Sequence, residues 1–189
     1  MYRFRSFLIK CEVLFNRMKF QLVYRCIFGY RFGKKTFILS PLLLLLDKYR
    51  IGENVYIWPG ARIEAVKVYY NQIFEPHLII GDEVSVQQGL HLTHCGKLEI
   101  GARTTISSYV LITDIDHEHS DDSISVLKQR LKHRPTKIGK NCFIGAGSVI
   151  LAGTVLGDHC VVGAGSVVRG EFPTGSTIVG SPGRVIKSV

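Results

Sequence analysis

Residues 138–168 read IGKNCFIGAGSVILAGTVLGDHCVVGAGSVV, and the period within them decides the fold. An aliphatic residue returns at every sixth position without a slip, as Ile138, Ile144, Ile150, Leu156, Val162 and Val168. Four residues after each of the first five stands a small one: Cys142, Ser148, Thr154, Cys160 and Ser166. A β-strand repeats its facing every two residues and an α-helix about every 3.6, so a strict six suits neither by itself. It suits a coil with flat faces. If three hexads complete one triangular turn, each aliphatic residue points inward and stacks on its counterpart in the next turn. The small residue then fits the cramped inner position beside a corner. Glycine follows the aliphatic residue at Gly139, Gly145, Gly157 and Gly163, where the backbone is expected to bend sharply or take positive φ.

Working outward, the same signature opens at Ile51-Gly52-Glu53-Asn54-Val55-Tyr56, leading to Ile57 and Ile63. It opens again at Ile80-Gly81-Asp82-Glu83-Val84-Ser85, leading to Val86 and Leu92, and after a two-residue slip at Ile100-Gly101, leading to Ile106 and Ile112. The repeat thus spans most of residues 51–180, with breaks at Ala65–His77 and Ile115–Thr136. Breaks in a solenoid are loops pushed out of the coil, often on its binding face. The expected organisation is an all-β solenoid over 51–180 with inserted loops at 65–77 and 115–136. A basic N-terminal extension over 1–50, helical in pattern, precedes it, and a tail over 181–189 follows.

The charge divides along the same boundary. The 189 residues carry 24 Lys/Arg and 15 Asp/Glu, and residues 1–35 hold nine of the bases against one acid, Glu12, so the remainder has 15 against 14. A nearly neutral body without basic and aromatic residues interleaved on one face argues against a nucleic-acid partner. In the extension, Phe4, Leu8, Cys11, Phe15, Met18 and Leu22 recur at near-helical spacing among scattered bases. That pattern suits either an amphipathic helix on an anionic membrane surface or a helix packed on the body or another subunit, and both readings stay open. The longest pure apolar run, Leu42–Leu46, is far too short to span a membrane. Charges interrupt every candidate signal-peptide core, so a cytoplasmic protein is expected, with peripheral contact at the inner membrane face if the extension binds lipid. Five cysteines without CxxC spacing fit reduced thiols, with Cys142 and Cys160 facing the core.

The hexads, the stretch TDIDHEHSDD (113–122), the ending VVGAGSVVRGEFPTGSTIVGSPGRVIK (161–187) and the opening IGENVYIWPGARIEA (51–65) resemble the hexapeptide-repeat acyltransferases. Within them the chain is most similar to the maltose and galactoside acetyltransferase branch and to the O-acetyltransferases of bacterial capsule and O-antigen synthesis. The resemblance implies a left-handed parallel β-helix, a homotrimer with active sites between neighbouring subunits, and acetyl-CoA as the acyl donor. No metal is expected.

Acetyl transfer from a thioester to a hydroxyl needs a base for the hydroxyl proton and a donor for the developing oxyanion. Histidine suits the first task because it titrates near neutrality. Of the seven histidines, His117 lies five residues after Ile112 where the coil breaks, with Asp114 and Asp116 beside it. The resemblance places the catalytic base there, and either aspartate would orient its ring. Many relatives read Asp-His-x-His where this chain has Ile115, a departure that bears on the acceptor pocket. By resemblance, Gln87 and Phe143 are expected at the acceptor or acyl group; His119, two residues past His117, and His94, on the coil preceding that loop, are expected near the acceptor by position. The backbone N–H of Ala146 would be the oxyanion donor. Coenzyme A would run past Ala164, with Arg169, Arg184 and Lys187 approaching its phosphates.

The expected activity is therefore O-acetylation of a sugar hydroxyl on a surface polysaccharide or its precursor. Three alternatives stand beside it. One is N-acetylation of an amino sugar or amino acid. Another is a non-catalytic β-helix scaffold. The third is a γ-class carbonic anhydrase-like enzyme, for which His91, His94, His117 and His119 would supply metal ligands.

Overall fold

The aliphatic residue of every hexad from 138 to 168 is at most 1% exposed, and the small residues four places on are at most 2% exposed. This inward column pattern organises the computed structural model, which describes residues 32–188 together with Leu14, Phe15, Val23, Tyr24 and Cys26. The chain visits three sheets in rotation. Phe37–Ile38, Tyr56–Ile57, Ser85–Val86, Thr105–Ile106, Phe143–Ile144, Val161–Val162 and Thr177–Val179 stack in parallel as the first sheet. Leu43–Leu45, Arg62–Ala65, His91–His94, Leu111–Thr113, Val149–Ile150 and Val167–Val168 form the second. Lys48–Ile51, His77–Ile80, Lys97–Ile100, Thr136–Ile138, Val155–Leu156 and Glu171–Phe172 form the third.

Register keeps like over like. Val86, Ile106, Ile144 and Val162 are paired in sequence through the first sheet. Ile63, Leu92, Ile112, Ile150 and Val168 do the same in the second. The core is thus a prism of stacked β-branched and leucine side chains, each worth roughly 1.5–3 kcal/mol on burial. The small residues have their own work. Ser148, Thr154 and Ser176 each turn a hydroxyl back onto the carbonyl three residues earlier, at 2.6 to 2.7 Å, reinforcing the longer bond that the same residue's N–H makes to that corner carbonyl. Cys95, Cys142 and Cys160 are buried free thiols, and burial pushes Cys95 up to about 12 and Cys142 up to about 11. Cys26 is free and exposed.

Several boundaries differ from those read in the sequence. The first coil begins at Phe37, so residues 37–50, assigned above to the extension, belong to it; they lack the Ile-Gly signature, yet Ile38 and Leu44 stack on Ile57 and Ile63. The 181–189 segment is no free tail, because Arg184–Lys187 folds back antiparallel along Thr177–Val179. Both inserted loops are two-stranded ribbons, Val68–Tyr69 with Gln72–Ile73 and Ile115–His117 with Leu131–His133. The helical pattern over residues 4–22 lies almost wholly outside the described residues. No helix among the described residues is long and apolar enough to cross a membrane.

The glycines after the aliphatic residues also need a different reason. Left-handed backbone falls two places later, at Asn141 (53°), Gly147 (65°), Gly153 (81°), His159 (60°) and Gly165 (66°), where the corner turns. Gly139 is required by the next coil instead, since a Cβ there would lie 2.4 Å from the Gly157 carbonyl oxygen. Gly147 faces open space, with nothing within 4 Å of an added Cβ. Gly147→Ala should cost about 1–2 kcal/mol for its left-handed backbone alone, and Gly139→Ala should cost more because backbone must move. Denaturant unfolding of both variants checks the order; the reverse order would show that coil spacing is not what selects Gly139.

Candidate functional site

Both inserted ribbons leave the coil at the same corner, between the second and third sheets, two coils apart. Between them passes the short corner of the intervening coil, Cys95-Gly96. The two ribbons meet across it. The Tyr69 hydroxyl donates to the Leu127 carbonyl at 3.0 Å, and the Tyr69 and His117 rings pack edge to face with centroids 5.6 Å apart. The Gln72 side-chain amide donates to the Leu131 carbonyl at 3.2 Å and accepts from the Leu131 N–H at 2.7 Å.

Beneath the ribbons, against the outer face of the second sheet, lies a groove of about 470 Å³. Its floor is set by register: His91 beside Leu111, and Glu64, Thr93 and Thr113 in one row. Its wall is Tyr69, Ile115, His117 and Leu131. Glu64 is ion-paired with Arg62. The groove therefore joins an exposed imidazole, a tyrosine ring and apolar side chains to a strip of hydroxyls and a carboxylate. Such a surface suits a polyhydroxylated ring with one polar edge and one apolar face.

The other residues singled out in the sequence fall into separate places. Asp114, expected to orient His117, is fully buried and accepts the N–H groups of Cys95 and Gly96, both at 2.9 Å. Its second oxygen also faces His133 Nε2 at 3.2 Å, so the carboxylate–imidazole pair forms with His133 and not with His117. This packing explains Gly96, where a Cβ would lie 2.1 Å from the His133 ring. Asp116 is paired with Arg134 and with Arg169. Arg169, expected at a phosphate, is thereby drawn to the His117 corner, where it also donates to the Ala152 carbonyl at 3.2 Å. His94, expected at the acceptor, is fully buried, because alternation from Leu92 turns it inward. His119 is exposed, its Nδ1 3.3 Å from the His117 carbonyl oxygen.

Gln87, Ala146 and Ala164 occupy the corner between the first and second sheets, with Ala146 and Ala164 exposed on successive coils and joined by the Gly165 N–H on the Ala146 carbonyl at 2.9 Å. Phe143 stands outward on the first sheet, 46% exposed, and Arg184 and Lys187 lie exposed on that sheet's last strand. Within one chain the second sheet separates this group from His117. Sequence reasoning missed Gln72, Glu64 and His133, and the contact of Tyr69 with His117. The register of Glu64 with Thr93 is readable from the hexads, whereas the ribbon contacts carry no periodic signal. Among the described residues no group of three or more His, Cys, Asp or Glu side chains is arranged to hold a metal ion.

Comparison with known proteins follows the same lines. Residues 135–169 match the family described as the hexapeptide repeat of succinyl-transferase. The chain is 35% identical over 143 residues to WbbJ of Escherichia coli (strain K12), named as a lipopolysaccharide biosynthesis O-acetyl transferase, covering 72% of this chain and 69% of that protein. It is 35% identical over 162 residues to nodulation protein L of Rhizobium leguminosarum bv. viciae, covering 78% and 84%. Among solved structures, an AntD variant from Bacillus cereus, an N-acyltransferase in complex with dTDP-4-amino-4,6-dideoxyglucose and coenzyme A, aligns with a TM-score of 0.64 at 22% identity, covering 82% of this chain and 81% of that one. At that identity the likeness concerns the fold.

Two measurements test the buried polar residues. Asp114→Ala leaves two buried N–H groups without their acceptor and should cost roughly 2–4 kcal/mol, while Asp114→Asn, which keeps one acceptor oxygen, should cost less. A loss below about 1 kcal/mol in denaturant unfolding would mean that water replaces the carboxylate. His94 donates from Nδ1 to the Gly96 carbonyl at 3.2 Å and leaves Nε2 unpartnered, which fits a neutral ring. Burial holds its pKa below the usual histidine range. The unfolded chain takes up this proton below about pH 6.5 and the folded chain does not, so the group subtracts stability as pH falls. Relative to the native protein, the Tm of His94→Leu should therefore improve on going from pH about 7.5 to about 5.5; a constant difference would exclude this linkage.

Proposed function

The chain belongs to the hexapeptide-repeat acyltransferase family, and from that premise we propose that it moves an acetyl group from acetyl-CoA to a sugar hydroxyl of a bacterial surface polysaccharide or its precursor. The observation that carries this reading is the placement of His117, exposed on a braced ribbon at the wall of a groove floored by Glu64, Thr93 and Thr113. The hydroxyl and carboxylate row offers hydrogen bonds to a sugar, and Tyr69 with its apolar neighbours offers a face for a ring. The names of WbbJ and of its O-acetyl transfer in lipopolysaccharide biosynthesis point to the same acceptor class.

In this mechanism His117 takes the proton of the acceptor hydroxyl as that oxygen attacks the thioester carbonyl. The Ala146 N–H donates to the oxyanion that forms. The intermediate collapses with loss of the coenzyme A thiolate, which recovers the proton from the imidazolium, leaving the acetyl ester. The Gly145-Ala146-Gly147 and Gly163-Ala164-Gly165 corners present two successive coils of backbone with almost no side chain, a strip along which the pantetheine arm of the donor can lie close. Exposed Arg184 and Lys187 would meet its phosphates, and Phe143 would border the cleft. Gln87 and His119 would complete the acceptor contacts, one from each edge of the sheet. Asp114, Asp116, His94 and Arg169 take no part in this scheme, given the partners described above.

Because His117 and Ala146 stand on opposite edges of one sheet, the reading includes a site shared between copies. It further includes a left-handed parallel β-helix, a homotrimer, and contact of residues 1–35 with the inner face of the membrane, where a lipid-linked acceptor would be found.

Purified protein and His117→Ala, given acetyl-CoA and a panel of sugars, lipid-linked glycans and amines, should differ by about 10²- to 10⁴-fold in acceptor-dependent thiol release. Calorimetry should show acetyl-CoA binding unchanged. Equal rates in the two proteins would remove His117 as base, and a response to amines alone would move the acceptor class to nitrogen.

A further inference from the structure

We propose that the ribbon Val68–Ile73 is the positioning element for His117, with Tyr69 and Gln72 as its two contact residues. The inference rests on the reading of His117 as base, and deepens it by naming what fixes the ring. Tyr69 and Gln72 are directly paired across their ribbon, so their side chains leave it on the same face. Both aim at the second ribbon. Gln72 binds Leu131 through its N–H and its carbonyl together, and Leu131 is the residue paired with His117 in the antiparallel register. A primary amide that both donates and accepts in this way acts as one added peptide group, so the two-stranded ribbon carrying His117 gains a third edge partner.

Tyr69 then acts on the ring itself. Its aromatic ring meets the imidazole at an interplanar angle of 75°, while its hydroxyl is anchored on Leu127 at the far end of the same insert. One side chain thus ties the two limbs of the His117 insert together and borders the imidazole. His117 lacks the aspartate orienter expected beside it, because Asp114 serves the Cys95-Gly96 corner and Asp116 serves Arg134 and Arg169. The aromatic contact takes over the orienting task by packing. Neither residue delivers or accepts a proton in the reaction, so both are positioning residues.

The test uses the intact chain with selectively labelled histidine and leucine, comparing the native protein with Tyr69→Leu, Tyr69→Phe and Gln72→Leu. Thermal unfolding first identifies which variants keep the native fold, and the more conservative Tyr69→Phe and Gln72→Leu keep the question open if Tyr69→Leu does not. In Tyr69→Leu the His117 ring resonances should shift. They should stay near native in Tyr69→Phe, which retains the ring. In Gln72→Leu the Leu131 amide should exchange with solvent at least about tenfold faster, as expected for a lost edge hydrogen bond. With an acceptor in hand, kcat should fall about tenfold in Tyr69→Leu while KM for acetyl-CoA is unchanged, the pattern of lost transition-state alignment. Unmoved His117 resonances in Tyr69→Leu together with native Leu131 exchange in Gln72→Leu would overturn the proposal. Shifted resonances in a protein whose acetyl transfer survives His117→Ala would uphold the positioning and discard His117 as base.

Discussion

Everything in this molecule depends on hydrogen bonding between equal positions of successive coils. Tyr56 donates to Val84, Ser85 to Thr104, Thr105 to Cys142, Phe143 to Cys160 and Val161 to Ser176, so each coil repeats its predecessor's register. A shift by one residue would turn the whole aliphatic column outward. An insertion is therefore admissible only if the chain returns to the point where it left. At the His117 insert the Arg134 N–H donates to the Asp114 carbonyl at 2.9 Å and Thr136 Oγ1 donates to the Thr113 carbonyl at 2.8 Å, which closes the neck. Two strands leaving a closed neck in opposite directions pair most simply as an antiparallel ribbon. The same constraint makes a ribbon of residues 68–73, whose neck is closed by the Phe74 N–H on the Lys67 carbonyl at 2.8 Å.

Burial decides which chemically capable side chains are available for chemistry. Asp114 and His94 are among the residues a sequence reader would select for a site, yet both lie inside. There the aspartate supplies acceptors to two backbone N–H groups, and the histidine fills space as a neutral ring. Removing a charge from water is tolerated only with such partners, which is why the buried carboxylate is surrounded by donors. The exposed His117, Arg134 and Arg169 of the same corner, with the half-buried Asp116, form the outer layer.

The core was legible because a period of six reports directly which side chain faces inward, and Ile138 to Val168 are buried as that period requires. His94 was legible as well in hindsight, since His91–His94 is a four-residue strand and simple alternation from Leu92 hides it. What the period could not report is any contact made outside it. The first coil was hidden because Leu43–Leu45 belongs to an unbroken leucine run without an Ile-Gly corner. The Tyr69–His117 contact was hidden because it joins coils two apart, through inserts whose lengths follow no repeat. The glycine positions were read for conformation when their cause was proximity, a distinction visible only once the Gly157 carbonyl is placed over Gly139.

The separation of His117 from Ala146 within one chain bears on how the proposed site is assembled. A cleft that uses both must join unlike edges of two copies, and a head-to-tail contact of that kind closes into a ring when its rotation allows. Assembly would be a fragile basis for catalysis if the base took its geometry from the neighbour, since angstrom-scale errors in alignment lower rates strongly. Tyr69 and Gln72 come from the same chain as His117, so the ring's position is fixed before any partner arrives. In the proposed assembly a neighbouring copy would then have only to bring a backbone N–H and a side-chain-free strip into place. A stiff parallel coil holds such a strip without further adjustment.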